Sequence, residues 1–115
     1  MTTEVDARLE PILSRGSIAS LTDPGPTYEQ LDGILAAATT VPDHGSLQPW
    51  RFVVVRGAGR AAFGDALAAP ALHHSPDLDQ GKQAKLRNKA FLAPVLVVLI
   101  ASPQPSPKVP EWEQV

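Results

Sequence analysis

The chain has 115 residues, 43% of them hydrophobic, which suits one small globular domain. Its 10 basic and 12 acidic residues give a formal charge of -2, which argues against a general binder of nucleic acids or acidic membranes. The absence of cysteine excludes disulfides, thiolate catalysis and cysteine zinc sites.

The sequence also shows no sign of a signal peptide or of a membrane-spanning segment. Residues 1–6 are polar and acidic and lack the apolar core of a signal peptide. The longest apolar run, residues 95–101, is too short to cross a bilayer. We therefore expect a soluble, cytoplasmic protein.

The first third of the chain predicts two helices. Apolar spacing predicts a short helix that ends near residue 14 or 15. Farther on, Thr27 and Gln30 have the spacing of a capping box, in which each side chain satisfies a free backbone amide of the other residue. Apolar residues at helical spacing then predict an amphipathic helix over 28–40, which Pro42 ends.

The remainder predicts two strands and two helices. Strands are predicted over residues 51–56 and 95–100, because residues 52–55 and 95–100 are apolar without alternation, as in strands covered on both faces. Helices are predicted over 60–68 and again from Ser75, which would act as the cap with Pro76 in the first position. Two such strands need neighbours and covering helices, so the pattern indicates an incomplete α/β or α+β fold. A final helix begins near residue 110 and has no body, so we expect residues 1–115 to be the N-terminal portion of a single domain.

Residues 42–50 are the most informative segment for function. A polar loop interrupts the helix pattern, Gln48, Pro49 and Trp50 close it, and an apolar strand follows at once. The loop is thus predicted to sit on a rigid base, which is where cofactors are usually held.

Six segments follow one another along the chain: Arg15-x-Ser17, Asp23-x-x-Pro26, Pro42-Asp43-His44, Gln48-Pro49-Trp50-Arg51-Phe52, Lys85-Leu86-Arg87-Asn88 and Lys108-Val109-Pro110-Glu111-Trp112-Glu113-Gln114. In this order and spacing, they resemble the nitroreductase family of flavoproteins, and in particular its small YdjA-type members. The resemblance covers nearly the whole chain. It implies an α+β fold, here an incomplete sheet with flanking helices, and a homodimer with one FMN at each end of the shared interface. It also implies NAD(P)H as co-substrate, with ping-pong hydride transfer through the flavin N5 to a nitroaromatic or quinone-type acceptor.

The resemblance implies a phosphate-binding turn after the first helix. Arg15 and Ser17 match that turn, and a guanidinium with a hydroxyl suits a phosphate dianion. Gly16 stands where the family commonly has a second arginine, which leaves backbone donors alone at that position. The alternative from the residues themselves is that Arg15 interacts with the dipole of the first helix and Ser17 is an ordinary loop residue.

The resemblance also implies cofactor contacts from the loop. His44 matches a position that contacts FMN in the relatives, although a lone loop histidine is more often solvated or a local cap. Ser46 stands where many members have asparagine and keeps a single hydroxyl. Gln48 has an amide for either the cofactor or the backbone, while Thr40 replaces an arginine that reaches the partner subunit's cofactor.

Two functional hypotheses follow. The first is an FMN-dependent NAD(P)H oxidoreductase in which the protein binds a small-molecule electron acceptor and supplies no catalytic side chain of its own. The second is a non-catalytic truncated remnant, or a subunit that associates with a complementary or intact homologous chain through open strand edges. No metal site is expected, because His73 and His74 are adjacent and have no carboxylate cluster nearby.

Overall fold

The computed structural model describes residue 4 and residues 6–115. The expectation that residues 1–6 form no signal peptide falls largely on residues outside this description. Within it, the elements follow in the order α1 (Glu10–Leu13), α2 (Tyr28–Ala38), β1 (Trp50–Arg56), α3 (Gly59–His74), α4 (Gln80–Asn88) and β2 (Val95–Ala101). Three short 3₁₀ turns accompany them, at His44–Ser46, Lys89–Phe91 and Glu111–Glu113. The predicted α+β class is confirmed.

The start of α2 forms as its sequence dictates. The Thr27 hydroxyl accepts a hydrogen bond from the Gln30 N–H at 3.1 Å, and the Gln30 side-chain oxygen accepts one from the Thr27 N–H at 2.9 Å. These two bonds satisfy amides that the helix cannot pair internally. The helix ends at Ala38, two residues before the predicted boundary, and the Thr39 and Thr40 hydroxyls donate back to carbonyls of its last turn.

The two strands pair with each other in antiparallel orientation. Trp50 lies opposite Ala101 and Arg56 opposite Val95, so all seven residues of each strand are in register. Leu21 donates its N–H to Leu92 at 2.7 Å, which holds the segment before α2 beside the start of β2.

The tightest packing joins α3 and α4. Gly64 approaches so closely that a Cβ on it would stand 2.8 Å from the Arg87 carbonyl oxygen. Ala68 and Ala90, the small residues around this contact, are completely buried. Asp65 and Arg87 form an exposed ion pair at 2.9 Å across the same pair of helices. The absence of a side chain at Gly64 thus sets how near the two backbones lie.

The helix boundaries in the middle of the chain differ from the prediction. The helix predicted to begin at Ser75 begins instead at Gln80, because Asp79 accepts a hydrogen bond from the Lys82 N–H and acts as the cap. Ser75 ends α3, and its carbonyl accepts the Leu78 N–H at 3.0 Å to close a turn.

The helix predicted over residues 60–68 continues through Pro70 to His74. Pro70 removes the N–H that would bond to the Ala66 carbonyl. Both residues are exposed, so water can satisfy that carbonyl.

The sheet is not covered on both faces within this chain. Val53, Val54, Val97 and Leu99 are exposed, with Leu99 at 67% of its free area. The radius of gyration is 18.8 Å, compared with about 13 Å for a compact domain of this length. The fold is therefore open, and much of its apolar surface is available to other protein.

Candidate functional site

The loop between α2 and β1 has an unusual backbone. Gly45, Ser46 and Gln48 have φ of 78°, 52° and 47°, in the left-handed region. Side-chain-bearing residues seldom adopt this region, and strained residues of this kind concentrate at functional sites. The loop predicted as the cofactor segment is thus the part of the described chain where positive φ is concentrated.

Asp43 holds the loop in this shape. One carboxylate oxygen accepts the Leu47 N–H at 3.2 Å, and the other accepts the Gln48 N–H at 2.8 Å. The Asp43 carbonyl also accepts the Ser46 N–H at 3.1 Å. The sequence analysis missed this role, although aspartate just before a glycine-containing turn commonly bonds to nearby backbone amides.

The loop is fixed to the sheet at its far end. Pro49 is buried and accepts the Ser102 N–H at 2.8 Å, which continues the pairing beyond the end of β2. Trp50 is half-buried and begins β1. These two residues form the rigid base that the sequence suggested.

The C-terminal segment, residues 109–114, lies against the same loop. Val109 is buried, and one of its methyl groups is 3.2 Å from the position that a Cβ on Gly45 would take. The His44 ring nitrogen Nδ1 is 2.7 Å from the Glu113 carboxylate. This segment was predicted as the start of a final helix and forms a 3₁₀ turn at Glu111–Glu113. Its contact with the loop was not predicted, since 69 residues separate His44 from Glu113.

Gln114 secures the C-terminal segment. Its amide oxygen accepts the Gln104 N–H at 2.8 Å, and its amide nitrogen donates to the carbonyls of Gln104 and Val109 at 2.9 and 3.2 Å. These bonds join Gln114 to the proline-rich connection that follows β2, residues 102–110, which forms an arch. Glu113, which contacts His44, therefore lies in a segment that these hydrogen bonds hold in place.

Two neighbouring cavities adjoin the loop. The smaller, about 180 Å³, lies between the loop and the C-terminal segment and is lined by His44, Asp43 and Glu113 among others. The larger, about 390 Å³, is mainly apolar and is lined by Trp50, Phe52 and Leu99 together with residues from the end of α2. The side chain of His44 is 65% exposed, and Ser46 and Gln48 are also exposed. The polar groups of the loop are accessible to a ligand.

The second predicted group, Arg15, Gly16 and Ser17, follows α1 in an exposed segment without regular secondary structure. In the part of the chain that the structure describes, no hydrogen bond or ion pair engages the Arg15 guanidinium or joins this segment to the loop. A Cβ added to Gly16 would meet nothing within 4 Å. Arg15, Gly16 and Ser17 are therefore accessible to a ligand, as the loop is. The described chain shows no direct contact between these residues and the loop.

Other site classes receive no support from the described residues. Residues 4 and 6–115 contain no group of three or more histidine and carboxylate side chains placed to hold a metal. Over the same residues, no helix has the length and apolar character needed to span a membrane.

An α+β chain with an exposed, strained polar loop at the end of a strand is an arrangement suited to small-molecule binding. The comparison with protein families is specific: the model described as "Nitroreductase family" matches residues 12–114, and the chain belongs to this family.

Two curated relatives agree with the family assignment. The chain is 41% identical over 106 residues to the protein named "Putative NAD(P)H nitroreductase YdjA" of Escherichia coli (strain K12), which covers 92% of this chain and 57% of that protein. It is 36% identical over 104 residues to the protein named "Putative NAD(P)H nitroreductase" of Haemophilus influenzae, covering 90% of this chain and 55% of that protein. The chain thus spans little more than half the length of these relatives.

A solved structure has the same fold. A nitroreductase-like family protein from Bacillus cereus superposes with a TM-score of 0.64 over 86% of this chain and 51% of its own, at 23% sequence identity.

Proposed function

We propose that this chain provides cofactor-binding elements of an FMN-dependent NAD(P)H oxidoreductase of the nitroreductase type. The observation that carries the proposal is the exposed loop at residues 43–48, held by Asp43 and the C-terminal segment with three left-handed residues. Membership of the nitroreductase family and the NAD(P)H in the names of two relatives support the choice of reaction.

The residues after α1 suit the phosphate of FMN. Arg15 supplies a cation with a fork of donors, and Ser17 supplies a hydroxyl, which together match a dianion. Open space around Gly16 allows an anion to approach the backbone N–H groups directly. Gly16 cannot supply the side-chain donor that an arginine offers, so Arg15 carries most of the charge neutralisation.

The loop suits the uncharged part of the cofactor. An imidazole, a hydroxyl and an amide, from His44, Ser46 and Gln48, supply donors and acceptors for ribityl hydroxyls and the polar edge of a flavin. The left-handed backbone of Gly45, Ser46 and Gln48 also turns the chain sharply, so that backbone groups are brought close to a ligand. The hydrogen-bond donors and acceptors of the loop are therefore suited to FMN.

The reacting chemistry is supplied by the cofactor. FMN held by Arg15, Ser17 and the loop would supply the chemistry of hydride transfer from NAD(P)H and of electron transfer to an acceptor such as a nitroaromatic or a quinone. The residues of this chain bind and orient the cofactor, and we assign none of them to proton transfer or covalent catalysis.

We further propose a cytoplasmic homodimer at the length of the relatives. The exposed apolar sheet residues provide surface for association. Leu21, farther along the chain than Arg15 and Ser17, bonds to Leu92 before β2, whereas Pro49, next to the loop, bonds to Ser102 after β2. A second copy that adds its own polar groups would enclose a cofactor more completely than one chain does. The alternative, a non-catalytic subunit that associates with a homologous chain, uses the same apolar surface without flavin.

Titration with FMN tests the proposal. Purified protein should quench flavin fluorescence on binding, and NADPH or NADH should bleach the flavin absorbance. In a form with the length of the relatives, Arg15→Ala should weaken FMN binding by roughly 1.5–3 kcal/mol, the scale of a hydrogen bond to a charged group. Arg8→Ala is the matched control, because Arg8 is already paired with Asp6.

Two results would count against the proposal. Unchanged FMN affinity in Arg15→Ala would remove the phosphate role from this residue. Protein that gains no colour with added FMN, and shows no NAD(P)H-dependent bleaching, would favour the non-catalytic subunit.

A further inference from the structure

The His44–Glu113 contact constrains where the imidazole carries its proton. The two groups are 2.7 Å apart, from Nδ1 to a carboxylate oxygen. An ionised carboxylate can only accept a hydrogen bond, so Nδ1 must be the donor. In the neutral ring, Nε2 is then left without a proton and becomes an acceptor.

Glu113 is well placed to impose this state. It closes the 3₁₀ turn Glu111–Glu113, and the next residue, Gln114, is tied by three hydrogen bonds to the preceding arch. Val109 anchors the same segment against Gly45. The Gln114 bonds thus order the segment that carries Glu113, and the packing of Val109 holds that segment against the loop.

The other titratable group at this cavity is Asp43. Its two carboxylate oxygens already accept the Leu47 and Gln48 N–H groups, and no contact between Asp43 and the imidazole is among the bonds of the described chain. Glu113 is therefore the carboxylate in contact with His44 in the part of the chain described.

We propose that Glu113 is a positioning residue that orients the His44 ring and holds its proton on Nδ1, so that Nε2 accepts a hydrogen bond from the bound ligand. The ligand would offer a donor, such as a ribityl hydroxyl or a flavin N–H, and this part rests on the proposed function. Arrangements in which a second group fixes the tautomer of a functional histidine are widespread in proteins.

Long-range proton–nitrogen NMR of the histidine ring tests the positioning directly and needs no cofactor. At alkaline pH, where imidazole is neutral, the unsubstituted chain should carry the His44 proton on Nδ1. Glu113→Ala should move it toward Nε2, the position that free histidine favours in water. Glu113→Gln should retain the Nδ1 proton, because an amide oxygen also accepts a hydrogen bond.

Glu111→Ala is the matched control, since Glu111 lies in the same 3₁₀ turn and has no contact with the ring among the described bonds. The pair is exposed, 65% for His44 and 37% for Glu113, so the variants should fold like the parent. A proton on Nε2 in the parent chain, or the same tautomer in Glu113→Ala, would overturn the proposal.

FMN titration connects the tautomer with binding. Glu113→Ala should weaken FMN binding about 3- to 10-fold and Glu113→Gln much less. Combined with His44→Ala, Glu113→Ala should cause no further loss, because its effect passes through the ring. Equal loss in both backgrounds would refute the ligand role of Nε2. Absence of FMN binding in every form would refute the proposed function, while the NMR result would still decide the positioning role.

Discussion

One substitution, made at two glycines, should have opposite effects on stability. In α2, Gly33 is exposed and a Cβ added there meets nothing within 4 Å. Gly33→Ala should therefore stabilise the chain by about 0.5–1 kcal/mol, since alanine loses less backbone entropy in a helix. In α3, Gly64→Ala has the same intrinsic gain, but its Cβ would stand 2.8 Å from the Arg87 carbonyl oxygen.

The contact at Gly64 cannot be relieved by moving a flexible side chain. Its nearest neighbours are the Arg87 carbonyl oxygen and Cα, both backbone atoms, so α3 and α4 must separate. Overpacking of this kind costs about 1–3 kcal/mol, which exceeds the helix gain. We expect a net destabilisation of up to about 2.5 kcal/mol. The difference between the two variants should be about 1–3 kcal/mol, because the helix gain is common to both and cancels.

Urea denaturation of the two variants and the parent chain measures this difference. The midpoint should rise for Gly33→Ala and fall for Gly64→Ala, with similar slopes. Thermal unfolding should move in the same directions, by about 4 °C per kcal/mol in a chain of this size. Stabilisation by both substitutions would show that α3 and α4 pack less closely than the described distances require.

Three smaller predictions concern the caps and the loop. Thr27→Ala should destabilise the chain by about 1 kcal/mol by urea denaturation through loss of the capping box, whereas Thr39→Ala at the other end of α2 should cost much less. Asp43→Ala should raise backbone amide exchange in the loop and weaken FMN binding, because two loop amides lose their acceptor. Val109→Ala should cost about 1–2.5 kcal/mol in thermal unfolding and loosen the C-terminal segment, with unchanged stability arguing against its packing on Gly45.

Local signals in the sequence predicted the elements that local interactions determine. The α2 cap needs only Thr27 and Gln30, three residues apart, and both bonds are present. The strands were predicted to within one residue at each end, because their apolar runs are bounded by proline or glycine. Their antiparallel pairing was not predicted, since strand orientation depends on the path of the intervening chain.

The errors arose where two local signals competed. Ser75 with Pro76 has the pattern of a helix start, but Asp79 also caps, and the structure uses the later residue. The helix predicted over residues 60–68 was too short, since it continues through Pro70 to His74, where the hydrogen bond that proline removes lies on a solvent-facing side. Neither the end of α3 nor the start of α4 can be predicted without knowing which side of each helix is buried.

The position of the candidate loop was predicted for the same physical reason. The polar segment that contains His44, Ser46 and Gln48 is an exposed loop, whereas its left-handed backbone was not predicted. Arg15 is far from them along the chain, and local sequence has no information on whether one ligand can reach both groups. Glu113 was missed because a contact across 69 residues leaves no trace in the local pattern.

The loop combines a backbone that is costly to hold with contacts that compensate for the cost. Left-handed residues other than glycine are unfavourable by about 1–3 kcal/mol each when strained, and Ser46 and Gln48 are two such residues within a few positions. Two amide bonds to Asp43 and the packing of Val109 on Gly45 offset this cost from opposite sides. Because the C-terminal segment is one of the two supports, changes at Val109 or Gln114 should alter ligand binding by the loop, although neither side chain belongs to the proposed cofactor contacts.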